Sequence, residues 1–542
     1  MSAEVGPTGT LPESIDVFDT TLRDGAQFEG ISLSVEDKLR IAEQLDWLGV
    51  AWIEGGYPQA NPKDEEFFRR AVSGELELSF ATLVAFGSTR RPAGKVDDDP
   101  TLRALVESGA GTLCIVGKAW DFHVTEALET TLDEGEAMVG ESVRWLTGEG
   151  RNVFFDAEHF FDGYKANPEF ALRVLEAAAM GGASVLVLCD TNGGSLPHEV
   201  QRIVGDVKAH FGGDVALGIH TQNDSGCAVA NSVAAVLGGA TQLQGTVNGY
   251  GERTGNANLM TCIPNLELKL GVRCLPPGNI DRLTAVSRHV AELVNLPPHS
   301  ADPYVGASAF AHKGGLHSSA LAKAGSATYE HVDPSSVGNS TRILVSDLGG
   351  RAGLGMKASE FGVELDGAAA TTLTKQLKEL ESEGYVFEAA DASLELLMRR
   401  AAGTLEPFFR VETYRVTSYH REGTAWPGDG VDLMNEATVK IWVNDERLVA
   451  VGEGNGPVNA LDAALRAALG ARFPALEHIH LVDYRVRVLD TSTGTQAVTR
   501  VLIDSTDGER AWSTVGVSEN IIEASWRALV DSLTFGLVKA QR

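Results

Sequence analysis

Short apolar runs and amphipathic stretches alternate over roughly the first half of the chain. Runs rich in Val, Ile, Leu and Phe fall at Ile15–Thr20, Ala51–Glu54, Leu78–Val84, Thr112–Val116, Val153–Glu158, Ser184–Asp190, Val215–His220 and Gln242–Asn248. They have strand length, and their near-continuous hydrophobicity is what strands buried on both faces require. Between them, Ser34–Leu48, Thr125–Leu146, Pro168–Gly181 and Pro197–Phe211 read as helices. Ser34 followed by Glu36 and Asp37 supplies an N-cap and an acidic first turn. Eight strand–helix units fit an α/β fold, a closed (β/α)8 TIM barrel over residues 13–275, although alternation alone also allows an open doubly wound sheet. The polar residues favour the barrel. Six of the eight runs end in a polar cluster, DTTLRDG, IEGG, DAEHF, CDTNGG, HTQND and GYGERTGN. Barrel closure brings all such ends to one mouth, whereas an open sheet gathers only those at its switch point.

The period then changes. Residues 276–404 read as a helical linker region that includes the loop FAHKGGLHSSAL. Residues 405–537 alternate β-rich runs (PFFRVETYRVTSY, EATVKIWVND, HLVDYRVRVLD, AVTRVLIDS) with two helical stretches, a separate C-terminal α+β domain. Arg421–Asp432 reads as a Gly-rich hairpin or loop within it.

Composition narrows the partners. Forty-five Lys and Arg against 74 Asp and Glu leave a formal charge of −29, which disfavours nucleic acid and anionic membrane surfaces. No run approaches the roughly 20 apolar residues of a membrane span. The start has neither a basic nor an apolar leader segment, and the five cysteines form no C-x-x-C pair. Reduced thiols and a cytoplasmic location follow as expectations.

The strand ends hold the candidate chemistry. Alternation points His220 and Gln222 to the same side, toward the lumen. Asp24, after strand one, adds an anionic oxygen, and closure makes strands one and seven near neighbours. Asn256, after strand eight, supplies a further oxygen or holds a metal-bound water. The four form a candidate metal site, against the alternative of polar strand ends that merely cap turns. Arg23 beside Asp24 suits an anionic, bidentate ligand such as a 2-oxo acid, or else makes a salt bridge to Asp24 or Glu54. Thr191 offers a hydroxyl to a substrate carboxylate or caps the next helix. Glu158 ends strand five with Asp156 on its face, whereas His159 points away and reads as packing. His317 and His312, on the Gly-rich loop, compete as a general acid or base, although the residues by themselves favour an ordinary surface or packing role for either. Gly452, Gly454 and Gly456 lead into a helix. Their spacing is not that of a dinucleotide motif, so a tight turn or a small-effector pocket is expected there.

DTTLRDG-x-Q (Asp19 through Gln27), the H-x-x-ND of strand seven and GERTGN (Gly251 through Asn256) together resemble the acyl-CoA/2-oxo-acid condensing enzymes. That family of metal-dependent TIM barrels comprises the 2-isopropylmalate, homocitrate and citramalate synthases. The resemblance covers nearly the whole chain. DAEHFFDGYKANPEFAL and FAHKGGLHSSALAKAGSATYEHVDPSSVGN look most like its long citramalate branch, and residues 405–537 look like its end-product-sensing domain. The resemblance implies metal ligation by Asp24, His220 and the position of Gln222, with Asn256 close by. It implies that Arg23, Thr191 and Gln27 bind the oxo acid, and that Glu158 and His317 serve the acid–base steps. His317, not His312, aligns with the family's catalytic histidine, which acts across a homodimer. One departure stands out: the family usually has H-x-H where this chain has His220–Thr221–Gln222. An amide oxygen in place of an imidazole shifts the expected ion toward Mg²⁺ or Mn²⁺ and away from Zn²⁺.

The resemblance further implies condensation of acetyl-CoA with pyruvate to (R)-citramalate, an entry to isoleucine, with isoleucine as effector at Gly452–Gly456. The alternatives are a 2-isopropylmalate or homocitrate synthase using another 2-oxo acid, an acyl-CoA lyase, and an impaired effector-binding relative.

Overall fold

The computed structural model describes residues 11–58, 60–213, 215–344, 351–420, 433–489 and 497–541, in two compact units. The first comprises the chain to Phe310 together with Glu330–Ser340, and the second comprises Ala311–Tyr329 and Thr341 onward.

In the first unit eight parallel strands close on themselves in chain order: β1 (Asp16–Asp19), β2 (Trp52–Gly56), β3 (Thr82–Ser88), β4 (Thr112–Lys118), β5 (Asn152–Glu158), β6 (Val185–Asp190), β7 (Ala216–Thr221) and β8 (Gln242–Gly245). Closure runs through β1 and β8, where Asp16 pairs with Gln242 and Asp19 with Gly245. The open sheet is thereby excluded. Helices wrap the outside, beginning with Val35–Leu48. Its start is fixed by a capping box, Ser34 Oγ accepting from Asp37 N at 3.1 Å while Ser34 N donates to Asp37 Oδ2 at 2.9 Å.

Two apolar layers hold the barrel. The larger lies between strands and helices, from Val17 and Ile53 to Leu243. The smaller fills the lumen with Phe18, Val84, Cys114, Phe154, Val185, Val187 and Cys189. Phe154 meets Phe18 and Trp52 edge-on at 6.1 and 4.9 Å. The cylinder is therefore plugged, and polar groups above the plug face the carboxyl ends of the strands.

Two expected elements are displaced. The third strand starts at Thr82 rather than Leu78 because Asp46 accepts backbone N–H bonds from Ser79, Phe80 and Ala81 at 2.9, 2.8 and 2.7 Å, tying those residues into the strand's entry turn. The helix expected over Thr125–Leu146 is broken. A short turn, His123–Ala127, precedes Glu129 at φ 52°, and the helix Leu132–Gly148 starts afresh on a Thr131 cap.

The second unit holds helices Gly367–Ser382 and Asp391–Ala401 and two antiparallel three-stranded sheets. One orders β9 (Arg410–His420), β10 (Leu433–Val443) and β11 (Glu446–Gly454). The other orders β12 (His480–Val488), β13 (Thr499–Thr506) and β14 (Ala511–Ser518). Helices Pro457–Leu469 and Ile521–Ala540 pack on these sheets. The Gly-rich segment Arg421–Asp432 lies outside the described residues. Among the described residues no helix is long and apolar enough to cross a membrane.

Candidate active site

The loop after β1 builds the first half of the site. Asp19 accepts from Thr21 N and Thr21 Oγ1 at 2.8 and 2.9 Å, and Gly25 N donates to Thr20 O at 3.0 Å, so the chain turns at once. The turn swings Arg23 and Asp24 over the mouth. Thr20 Oγ1 donates to Glu54 Oε2 at 2.5 Å, and Arg23 Nε donates to the same oxygen at 2.7 Å. Arg23 Nη1 reaches Asp24 Oδ2 at 3.1 Å. The guanidinium therefore makes both of the salt bridges that the sequence left as alternatives, and it also lies over the Phe86 ring, 3.9 Å from the centroid.

Strands β7 and β8 build the second half. His220 and Gln222 lie on one face, and their side chains meet at 3.4 Å, Gln222 Nε2 to His220 Nε2. A β-bridge pairs Gln222 with Asn256, whose Nδ2 donates to Asp24 Oδ1 at 3.0 Å and to Tyr250 O at 3.2 Å. Gly251 makes that fold-back possible, since a Cβ there would stand 2.0 Å from Asn256 Nδ2. His220 Nε2 and Asp24 Oδ2 end 3.7 Å apart, and both side chains are buried. Asp24, His220, Gln222 and Asn256 thus converge.

Charge in this pocket is balanced by pairing. Burial opposes ionisation of Asp24, yet Arg23 and His220 outweigh it and hold the carboxyl below its ordinary value. Burial likewise opposes the charge on Arg23, and Glu54, Asp24 and Asp156 more than restore it. Asp156, beneath them, is pushed up to about 6 by burial and by Glu54.

Among the described residues no three His, Cys, Asp or Glu side chains gather as a metal cluster. The donor set here is one carboxylate, one imidazole and two amides. It fits a hard or borderline cation, because Gln222 Oε1 is buried and accepts no hydrogen bond from the protein. A buried amide oxygen is costly in that state and is suited to a cation.

The other expected residues are distributed as follows. Glu158 ends β5 in an ion pair with Lys118, the last residue of β4. Thr191 Oγ1 accepts from His159 N at 2.8 Å, tying the ends of β5 and β6 together. His159, as expected, packs, against His123 at 4.4 Å and with its Nδ1 3.0 Å from Asp162. Gln27 lines a cavity of about 340 Å³ with Arg23, Tyr57 and Phe86. His317 belongs to the second unit, on the helix Gly315–Ala324, where its ring stacks on Tyr329 at 3.9 Å. Gly452 and Gly454 let β11 lie against the following helix, as a Cβ would stand 2.3 Å from Ala464 N and 2.4 Å from Asn459 Oδ1 respectively. Sequence reasoning missed Lys118 and Gln244. The signal for Gln244 was two glutamines, Gln242 and Gln244, on one face of a strand with no solvent side.

A plugged barrel with a carboxylate, an imidazole and a guanidinium at its carboxyl mouth defines a class, and residues 14–290 match the HMGL-like family. Residues 304–385 match the homocitrate synthase post-HMGL domain-like family, and residues 388–537 match the LeuA allosteric (dimerisation) domain. Over nearly its whole length the chain is similar to three (R)-citramalate synthases. It is 52% identical to that of Aquifex aeolicus over 98% of this chain and 99% of the relative. It is 53% identical to that of Streptomyces coelicolor over 98% of each, and 50% identical to that of Synechocystis over 97% of each. The chain belongs to the (R)-citramalate synthase family of acyltransferases.

Proposed function

We propose that the barrel condenses acetyl-CoA with pyruvate and water to give (R)-citramalate and CoA, on the way to isoleucine. The observation that carries this is full-length similarity to (R)-citramalate synthases, together with a mouth whose charged groups suit a 2-oxo acid. Arg23 spends Nε and Nη1 on Glu54 and Asp24, which leaves Nη2 for the substrate carboxylate; Gln27 lines the same cavity, and Thr191 is assigned to the same ligand through its hydroxyl. A divalent cation, Mg²⁺ or Mn²⁺ before Zn²⁺, held by Asp24, His220 and Gln222 with Asn256 alongside, would polarise the keto group when bound. The acid–base steps fall to Glu158, which Lys118 holds in place, and to His317 supplied by a second copy of the chain, which takes a proton from the acetyl methyl group. The methyl carbon then bonds to the keto carbon, the keto oxygen takes up a proton, and water cleaves the thioester to release CoA. Arg23 balances the charge that develops on that oxygen.

The family's assignment of His317 to a partner copy, and the match to a dimerisation domain, support a homodimer. Isoleucine is the proposed effector, acting near Gly452, Gly454 and Gly456. In support, a hollow of about 780 Å³ lies along the helix that follows this turn, lined by Asn459, Asp462, Arg466, His480 and Tyr484. All five cysteines are free and four are buried, which supports a reducing, cytoplasmic setting.

A thiol-release assay with acetyl-CoA and a panel of 2-oxo acids, run with Mg²⁺, Mn²⁺ and Zn²⁺ in turn, tests the reading. Release with pyruvate alone is the expected result. Release with 2-oxoisovalerate or 2-oxoglutarate instead moves the chain to another branch, and silence across the panel overturns catalysis.

A further inference from the structure

His220 is held from behind by a buried chain of hydrogen bonds. In the β7–β8 register it stands opposite Gln244, and its Nδ1 lies 3.0 Å from Gln244 Oε1. Gln244 Nε2 in turn donates to Asp156 Oδ1 at 3.1 Å, across the lumen from β8 to β5. Gln244 is fully buried, and Asp156 and His220 are nearly so. Directionality along this chain is forced. An amide oxygen only accepts, so the proton lies on Nδ1 of His220. The amide cannot turn over, because that would set its oxygen against the Asp156 carboxylate. On the other side of the ring Gln222 Nε2, which only donates, faces Nε2 at 3.4 Å, so Nε2 presents its lone pair.

We propose that Asp156 and Gln244 are positioning residues that lock His220 in the Nδ1–H tautomer, so that its Nε2 lone pair is presented toward Asp24 and the cation between them. This rests on the cation reading given above. Histidines that bind metals are commonly oriented by a second hydrogen bond of this kind, and removing it weakens the metal by roughly 10- to 100-fold. Here an amide stands between the imidazole and the carboxylate. Asp156 therefore acts on the tautomer only through the orientation of Gln244.

The test uses the full chain at pH 8 and Mn²⁺ as the probe, with affinity read by electron paramagnetic resonance titration. Gln244→Leu and Asp156→Leu should each lower Mn²⁺ affinity by roughly 10- to 100-fold. Asp156→Asn keeps the size of the side chain but can donate as well as accept, so it no longer fixes which way Gln244 faces; it should also lower Mn²⁺ affinity severalfold, a loss that packing alone would not give. Independently, ¹⁵N spectra of histidine-labelled, metal-free wild type, with His220 assigned by its absence in a His220→Gln variant, should show the Nδ1–H tautomer. Asp156→Leu should move it toward Nε2–H. A wild-type imidazole with its proton on Nε2 overturns the proposal whether or not the variants fold. Wild type that binds Mn²⁺ while both leucine variants bind as tightly overturns this proposal alone. Wild type that binds no divalent cation overturns the cation reading and the proposal with it.

Discussion

Replacing Gln222 by leucine, a side chain of similar volume, separates what the amide does for the fold from what it does for the cation. Gln222 Oε1 is buried without a hydrogen bond, a state that costs about 1–3 kcal/mol. The amide nitrogen recovers little, since its contacts with His220 Nε2 and Asn256 Oδ1 both stand at 3.4 Å, near the limit of a hydrogen bond. Without metal, Gln222→Leu should therefore be more stable by about 1 kcal/mol, which is about 1–2 °C for a unit of roughly 300 residues. With Mn²⁺ at 100 times the wild-type Kd, the wild type gains about 2.7 kcal/mol by mass action. A variant that binds tenfold more weakly gains about 1.4 kcal/mol at the same concentration, so the order of the two melting temperatures closes or reverses. Differential scanning calorimetry in EDTA and then in Mn²⁺ measures both. A variant less stable than wild type in EDTA, with an undiminished Mn²⁺ shift, would refute the reasoning.

Three other outcomes follow from the barrel. Lys38 and Asp64 form a buried ion pair in which Lys38 also donates to Gly55 O at 3.0 Å and Asp64 accepts from Tyr57 N at 2.8 Å. Lys38→Met should cost about 3–5 kcal/mol in urea unfolding and Lys38→Met/Asp64→Leu markedly less, because the single change strands a charge. Burial pushes Asp19 up to about 7 from 3.8, so over that window the folded state binds the proton that the unfolded state has lost. Stability should fall with rising pH, by about 2 kcal/mol from pH 5 to pH 7, and urea midpoints of Asp19→Asn should lack that slope. Glu158→Gln should lower kcat by roughly 10²- to 10⁴-fold in the thiol-release assay with the KM for pyruvate little changed, and a kcat within threefold of wild type would remove Glu158 from the chemistry.

The barrel was legible because its strands announce themselves twice, by continuous hydrophobicity and by polar residues at the same end. Where a tertiary bond sets a boundary, local pattern fails. Leu78–Phe80 is apolar enough for a strand, but the Asp46 carboxylate, more than 30 residues earlier, ties up the amides of residues 79–81. Glu129 at positive φ likewise broke a helix whose periodicity ran through it.

For the site, Asp24, His220, Gln222 and Asn256 were readable from strand ends because closure alone brings those ends together. Their supports were not. Lys118 reads as an ordinary strand-end lysine until β4 and β5 pair it with Glu158 in register. Gln244 reads as the polar close of β8, and only the width of the lumen shows that its amide spans from His220 to Asp156. These supports also explain an oddity of the core. Glu54, Asp156 and Gln244 sit buried directly above an apolar plug of phenylalanines and valines, where three more apolar side chains would serve stability better. A polar layer in that position makes physical sense as scaffolding: Glu54 aims Arg23, Asp156 aims Gln244, and Gln244 aims His220, so the geometry at the mouth is set from inside the cylinder.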